Sequence, residues 1–302
     1  MSSIYFSAII LVAKMAHNTR KIHKKKVTVM GPKVCHPRLK DKHDGECLPP
    51  EELGKLGAAM GAPTSLKGKT LRRWITRRTK CKSERCWLEK ASIDRKKKRE
   101  ILKDYFRPTM PDSWEEQPTE WLDSLNIADV LKQYETAYPK FKFFGTNPID
   151  FSAPNPYKKD SLKNKECLQD EICKLNLKEL AAAGKTSLGF VYNLDPSDKG
   201  GSHWIASFTD IPGHRSYYFD SYGFKAPPQI ARFLRSLTLQ DPKMKLEYCA
   251  RRFQFGQSEC GMYCIYFILR MLEGDDFKTF CRSSPTDSEM TELRKSIFAQ
   301  KN

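Results

Sequence analysis

Near its C-terminal end the chain reads Gln254-Phe-Gly-Gln-Ser-Glu-Cys260-Gly261-Met-Tyr-Cys264, and an almost unbroken apolar run then continues to Leu272. The polar turn before Cys260 and the apolar run after it predict that this cysteine begins a buried helix. Backbone N–H groups and the helix dipole favour a thiolate at such a position. Gln254 can place a side-chain donor beside the sulfur, where an oxyanion would form. The stretch therefore indicates nucleophilic chemistry at Cys260.

A nucleophilic cysteine needs a base, and the chain contains six histidines, four of them in its basic N-terminal part. His203 follows two glycines and a serine and precedes an alternating apolar segment, which predicts a loop entering a strand. A histidine there would be held by rigid backbone and still face a cleft. Taken alone, it is equally well interpreted as a satisfied, half-buried strand-end histidine. His214 lies in a Pro-Gly hairpin turn, where an exposed turn residue is the simpler interpretation.

Asp220 ends the aromatic segment Tyr217-Tyr-Phe219 and precedes a turn. An aspartate in that position is most often a turn former. It is also where a carboxylate would hold the imidazole of a neighbouring strand in one tautomer. Antiparallel pairing of the strands around 204–210 and 215–219 would bring His203 and Asp220 to the same end of a sheet. This agreement in geometry favours a functional role for both.

The order His203, Asp220, Gln254, Cys260 resembles that of the adenain and ubiquitin-like-protein protease superfamily of cysteine peptidases. The resemblance extends over roughly residues 115–280. Its motifs are a His-Trp pair, an Asp-Ser pair and Gln-x5-Cys-Gly, which here are His203 with Trp204, Asp220 with Ser221, and Gln254 with Cys260 and Gly261.

The resemblance implies a role for each of these side chains. Cys260 would be the nucleophile, His203 the group that takes and later returns its proton, and Asp220 the group that orients the imidazole. Gln254 and the backbone N–H of Cys260 would form the oxyanion hole, and Trp204 would line the substrate channel. Gln257 is a competing glutamine, but the offset of Gln254 matches the family pattern.

Within the superfamily, the long basic extension and the stretch Phe144-Gly-Thr-Asn-Pro-Ile-Asp-Phe151 most resemble the virion proteases of asfarvirus- and mimivirus-type DNA viruses. This resemblance implies cleavage of viral core or capsid polyproteins after Gly-Gly, in the virion and at assembly sites in the host cytoplasm. One alternative is a protease that removes ubiquitin-like modifiers of the SUMO type. Another is a non-catalytic DNA- or capsid-binding protein on a protease fold, although the intact set of four residues argues against it.

The expected fold is α+β: a papain-like cysteine protease core, of the adenain and ubiquitin-like-protease type, behind a helical basic N-terminal extension. The predicted division is 1–114 for the extension and 115–302 for the catalytic domain. Besides the helix at 260–273, the patterns predict a central antiparallel sheet, a loop at 145–165, helices near 51–59, 85–105, 119–138, 170–183 and 227–239, and strands at 187–194, 203–210, 215–220, 244–249 and 252–255.

Positive charge is concentrated in the N-terminal part. Residues 1–110 hold 28 Lys and Arg against 10 Asp and Glu, which accounts for the whole formal net charge of +17. A solvated basic face is the default interpretation of such runs. Several runs in one segment also favour an anionic partner such as DNA, an acidic capsid protein or a nuclear import receptor.

Ten scattered cysteines without a convincing secretory signal predict mostly free thiols in a reducing compartment. Cys35, His36, His43 and Cys47 are conceivable zinc ligands, but their spacing is not that of the usual paired motifs. We therefore expect no metal and no cofactor. The apolar segment 4–13 is about half the ~20 residues that a membrane span requires, so a membrane partner is not expected, with a membrane-docking segment as the alternative.

Overall fold

The structure is a computed structural model, and it describes residues 27–28, 31–40, 43, 45–158, 160–164 and 166–300. The apolar segment 4–13 and the first part of the basic N-terminal segment, residues 1–26, lie outside the described residues. Within the described ranges, no helix has the length and apolar character needed to cross a bilayer.

The centre of the protein is a five-stranded sheet with the strand order β1-β2-β3-β4-β5. The strands are β1 Phe141–Asn147, β2 Ser187–Asn193, β3 Trp204–Asp210, β4 Arg215–Phe219 and β5 Lys245–Tyr248. The pairs β2–β3 and β3–β4 are antiparallel, whereas β1–β2 and β4–β5 are parallel. The prediction of an antiparallel sheet is therefore correct for the centre and wrong at both edges, where crossover connections join parallel strands.

Two further predictions of strands and loops were wrong. The strand β1 overlaps the start of the segment predicted as a loop at 145–165, and it had no predicted counterpart. Residues 252–255 do not form a strand; instead, the backbone N–H groups of Phe253 and Gln254 both donate to the carbonyl of Ser221, at 2.7 and 2.9 Å. These bonds tie the segment before Cys260 to the turn after β4.

Helices pack on both faces of the sheet and build the N-terminal region. Their bounds are α1 Pro50–Ala59, α2 Gly68–Thr79, α3 Glu84–Lys90, α4 Arg95–Tyr105, α5 Ser113–Glu116, α6 Ser124–Ala137, α7 Ser161–Asn164, α8 Asp170–Cys173, α9 Leu177–Ala182, α10 Pro228–Gln240, α11 Cys260–Leu272, α12 Phe277–Ser283 and α13 Asp287–Ile297. A short 3-10 helix, Pro37–Leu39, precedes them. The helix predicted at 85–105 is in fact α3 and α4, because Asp94 accepts from the backbone of Lys96 and Lys97 and starts a new helix.

Alternate residues of the strands enter two different cores. Tyr217 and Phe219 of β4 pack with α11, which is buried along almost its whole length. Tyr218 faces the opposite core, where α10 buries the apolar stripe predicted for it: Ile230, Phe233, Leu234 and Leu237. The helix α11 is therefore a central core element, fixed on several sides.

Six of the ten cysteines are paired, so the prediction of mostly free thiols is wrong. The disulfides are Cys35–Cys47, Cys81–Cys86 and Cys167–Cys173. The free cysteines are Cys249, Cys260, Cys264 and Cys281. Because Cys35 and Cys47 are bonded to each other, neither has a thiolate to offer a metal, and no cluster of three or more metal-ligating side chains occurs in the described part of the chain.

The N-terminal region has an apolar core of its own, which includes Ile75, Trp87 and Phe106. It is nevertheless bonded to the rest of the chain. Gln133 of α6 donates to the carbonyl of Phe106 at 2.8 Å, and the buried guanidinium of Arg107 donates to the hydroxyl of Tyr134 at 3.0 Å. The domain boundary between residues 114 and 115 stays a prediction. Separating the N-terminal region from the catalytic part would break these two hydrogen bonds.

Candidate active site

The structure brings His203 and Asp220 together at one end of the sheet. His203 directly precedes β3 and Asp220 directly follows β4, and these strands are antiparallel neighbours. Nε2 of His203 and Oδ1 of Asp220 are 2.8 Å apart. Both side chains are buried, with 8% of His203 and 2% of Asp220 exposed. The carboxylate can therefore hold the imidazole in one orientation.

Cys260 is the first residue of α11, as the sequence predicted, and its thiol is close enough to His203 to raise the pKa of that imidazole. Because Nε2 of the imidazole faces Asp220, Nδ1 is left for the thiol. The residue after Cys260 is Gly261. A Cβ at this position would lie 3.0 Å from Cβ of Leu122, so a side chain would crowd that residue. The glycine thus lets the start of α11 approach the segment before α6.

The surroundings of His203 favour its protonated form. Burial alone would lower its pKa, but hydrogen bonds to Asp220 and Cys260, and the attraction of both charges, raise the pKa to about 9. The imidazole can therefore carry a proton at neutral pH, as a donor to a leaving amine must. Cys264 is different, because complete burial raises the pKa of its thiol well above the ordinary value. It packs in the core, where the nearby charges of Cys260 and Asp220 disfavour its thiolate further.

Gln254 is completely buried, and its amide is held at both ends. Its Oε1 accepts a 2.7 Å hydrogen bond from the hydroxyl of Ser221, and its Nε2 donates to the carbonyl of Gly256 at 3.2 Å. The amide nitrogen carries two hydrogens, so one remains for an oxyanion. Gln257, the competing glutamine, is exposed. The geometry thus fits Gln254 as the oxyanion donor.

Tyr222 and Asp287 support the site, although sequence reasoning singled out neither. The ring of Tyr222 stacks on that of His203, with centroids 4.8 Å apart, and its hydroxyl donates to the carbonyl of Gly256 at 3.1 Å. Oδ2 of Asp287 accepts from the backbone N–H groups of Phe255 and Gly256 at 2.9 and 2.7 Å. Tyr222 lies next to the Asp-Ser pair, which is a local signal. Asp287 lies far along the chain from that pair, and no local sequence signal marks it.

Beside the catalytic groups lies a cleft of about 500 Å³, lined by residues that include Trp121, Trp204, Asn193 and Gly201. Trp204 donates from Nε1 to the carbonyl of Leu122 at 2.8 Å, which fixes its indole in the wall. Gly201 has φ +92, and a Cβ there would lie 2.7 Å from Nδ2 of Asn193. The structure therefore places Trp204, which directly follows His203 in sequence, in the wall of this cleft.

Comparison with known proteins gives relatives from two viruses. No family model matches the chain. The candidate thiol protease R355 of Acanthamoeba polyphaga mimivirus is 32% identical over 211 residues, which is 67% of this chain and 63% of that protein. This chain thus spans slightly less than two thirds of the length of that relative. The SUMO-1 cysteine protease of African swine fever virus is 25% identical over 186 residues, covering 59% of this chain and 67% of that protein.

The fold agrees with these relatives. The crystal structure of the African swine fever virus protease superposes with a TM-score of 0.67 at 19% identity, covering 90% of this chain and 98% of that one. A match over 90% of the chain includes much of the N-terminal helical region as well as the sheet. The chain is thus similar in sequence to the mimivirus thiol protease and the African swine fever virus cysteine protease, and similar in fold to the latter.

Proposed function

We propose that this protein is a cysteine endopeptidase that cleaves after Gly-Gly. The observation that carries the proposal is the hydrogen-bonded pair of His203 and Asp220, with Cys260 close to the imidazole and the amide of Gln254 held by Ser221. A thiol, a base and an orienting carboxylate in this arrangement are the requirements for nucleophilic catalysis by cysteine.

The reaction uses these side chains in the following order. The sulfur of Cys260 attacks the scissile carbonyl carbon while its proton resides on His203. The carbonyl oxygen gains negative charge and accepts hydrogen bonds from Nε2 of Gln254 and the backbone N–H of Cys260. His203 gives its proton to the amine, which leaves as the C–N bond breaks and a thioester remains. Water, deprotonated by His203, then hydrolyses the thioester and frees the thiol.

Two kinds of observation support the finer points of substrate choice. A passage with Trp204 in its wall admits a chain without side chains more readily than a bulky one, which favours glycines before the scissile bond. Relatives in two large DNA viruses favour viral core or capsid polyproteins as substrates. The protein would then act in the virion and at assembly sites in the host cytoplasm. The competing candidate is removal of SUMO-type modifiers, which the name of the African swine fever virus relative, a SUMO-1 cysteine protease, favours.

The test is cleavage of two substrates side by side by the purified full chain. One is a core polyprotein with a Gly-Gly site, with a Gly-Leu version as its control, and the other is a ubiquitin-like fusion ending in Gly-Gly. Mass spectrometry locates the cut. Cleavage of the Gly-Gly polyprotein alone supports the proposal, whereas cleavage of the fusion alone supports the competing candidate. No cleavage of either by fresh enzyme under reducing conditions would contradict both.

We also propose that the N-terminal region binds a polyanion, with double-stranded DNA as the partner. Lys69, Arg73 and Arg77 follow one another at four-residue intervals on the exposed face of α2. None of the three has an ion-pair partner among the described residues. A row of free cations along a helix suits a phosphate backbone.

Binding of a DNA duplex by the full chain, followed by fluorescence anisotropy at rising salt, tests this proposal. Replacing all three cations of α2 by Gln should weaken binding and lower the salt slope by about three, one for each lost phosphate contact. The matched control replaces three exposed lysines of the catalytic part: Lys178, Lys199 and Lys243. Equal losses of DNA affinity in both triple variants would contradict the proposal, since the overall charge of the protein alone would then explain the binding.

A further inference from the structure

We infer that an exposed aromatic surface beside the catalytic pair binds the substrate segment that follows the scissile bond. This surface, the aromatic platform, consists of Tyr222, Phe224, Arg252 and Phe255. The inference rests on the proposed peptidase function and adds a second recognition element to it, because the cleft at Trp204 can contact only one side of the bond that is cut.

The platform is an ordered group of side chains. Phe224 is 67% and Phe255 73% exposed, unusual values for phenylalanine. The ring of Tyr222 lies 6.3 Å from that of Phe224. The guanidinium of Arg252 lies 5.2 Å from the ring centre of Tyr222 and 5.0 Å from that of Phe255. Arg252 thereby links the rings into one surface.

The platform is continuous with the catalytic groups. Tyr222 stacks directly on His203. Phe255 follows Gln254 in sequence, and Nε of Arg252 donates to the carbonyl of Gln254 at 2.7 Å. A chain that places its scissile carbonyl at Cys260 and Gln254 therefore passes close to the platform.

The strand order places the cleft and the platform on opposite sides of His203. The cleft is lined by Asn147 at the end of β1, Asn193 at the end of β2 and the glycines that precede β3. The platform comes from the turn after β4 and the loop after β5. Because the sheet is ordered from β1 to β5, a peptide that crosses the catalytic pair runs from the cleft to the platform. With glycines in the cleft, the leaving segment meets the platform.

The chemistry of the platform defines its ligand. Two exposed phenylalanine rings gain most from covering by an apolar side chain. Arg252 forms no ion pair with any described residue, so the surface is cationic as well as apolar. The ligand is therefore an extended segment with a large apolar side chain in the first or second position after the cut.

The experiment compares two substrates that share one acyl segment ending in Gly-Gly. In one, a peptide with leucine in the first two positions follows the cut; in the other, an aminocoumarin is the leaving group. The double variant Phe224→Ala with Phe255→Ala should lose about tenfold in kcat/KM on the peptide and less than about twofold on the coumarin substrate. Leu239→Ala, which removes an 84% exposed leucine from α10, is the matched control and should change neither.

A second measurement keeps the inference separate from the proposed function. The fluorescently labelled leaving segment alone is titrated with the Cys260→Ala protein, and the double variant should bind it about tenfold more weakly. This loss would support the platform even if no substrate were cleaved. Unchanged binding, or an equal loss of kcat/KM on both substrates, would overturn the inference, since the platform would then not contact the leaving segment.

Discussion

The hydroxyl of Ser221 donates a 2.7 Å hydrogen bond to Oε1 of Gln254. A carboxamide carries its oxygen and its nitrogen on opposite sides. A donor bonded to Oε1 therefore fixes Nε2 on the side facing away from Ser221. Ser221 directly follows Asp220, so a single turn after β4 orients both the imidazole and the oxyanion donor. The two halves of the catalytic apparatus are therefore fixed by adjacent residues.

Replacing Ser221 by Ala should lower kcat by about 3- to 10-fold, the equivalent of one neutral hydrogen bond, and change KM little. The amide of Gln254 would lose its oriented donor but remain in place. Steady-state kinetics on the Gly-Gly peptide measures the effect. Gln254→Ala, which removes the donor itself, should cost more, about 10²–10³-fold in kcat.

Ser216→Ala is the matched control for Ser221→Ala. Ser216 is also completely buried, and among the described residues its hydroxyl bonds to that of Thr209 at 2.9 Å, between β3 and β4. The control should lose stability without losing kcat. If both serine variants reduce kcat equally, the positioning role of Ser221 is wrong.

Replacing Cys260 by Ser should abolish peptide cleavage while the melting temperature stays within a few degrees. Cys264→Ala on the same helix should keep kcat, because burial raises the pKa of that thiol well above its ordinary value and keeps it protonated. Mass spectrometry with a peptide bearing a thiol-reactive warhead adds a second readout, with modification expected at Cys260 alone. Modification of Cys264 instead would move the nucleophile by one helical turn.

Replacing Asp220 by Asn should lower the pKa of His203 from its value of about 9, because a hydrogen bond to a charge is lost while burial remains. The alkaline limb of kcat/KM should therefore move to lower pH. A raised pKa in the folded state contributes stability that is complete below about pH 6.5 and is lost as the pH rises through about 9. The difference in unfolding free energy between wild type and variant should accordingly shrink over that range.

NMR titration of the His203 ring and unfolding at several pH values measure these shifts. Asp241→Asn is the control, since Oδ2 of Asp241 lies 2.6 Å from Nδ1 of His214, away from the site. That variant should leave the alkaline limb of activity unchanged. An alkaline limb that stays at the same pH in Asp220→Asn would remove Asp220 from its orienting role.

Replacing Asp287 by Ala should lower both kcat and stability. The backbone N–H groups of Phe255 and Gly256 lose their acceptor, whereas the hydroxyl of Tyr263 keeps the carbonyl of Pro285 at 3.0 Å. Partly buried donors without an acceptor cost about 1–3 kcal/mol each when no water replaces it. Asp276→Ala removes a carboxylate from the start of α12 and should cost about 1 kcal/mol of stability with no change in kcat. Equal effects on kcat would contradict a role for Asp287 in holding the loop.

Much of the candidate site could be predicted because its residues mark the ends of regular elements. His203 enters a strand, Asp220 leaves one and Cys260 begins an apolar helix, and these local patterns are visible in the sequence. The antiparallel pairing that joins the first two also follows from a short turn. These features depend only on residues close together in the chain.

The missed features depend on residues that are far apart. β1 alternates poorly because it pairs at the edge of the sheet and buries most of both faces, so its pattern is ambiguous. The pairing of Cys35 with Cys47 follows from packing of the N-terminal helices. Asp287 reaches the loop before Cys260 only because α13 packs against α11, and nothing in its own segment marks it.

The bonds of Phe106 and Arg107 to α6 have a consequence for how the protein denatures. Arg107 also donates from Nε to the carbonyl of Pro32 at 3.0 Å, so one buried side chain joins the N-terminal core to the helix that supports the sheet. Loosening either part exposes this guanidinium and the acceptors it serves. Heating should therefore melt both parts in one cooperative transition, and a cut at residue 110 would leave Tyr134 and Gln133 facing water.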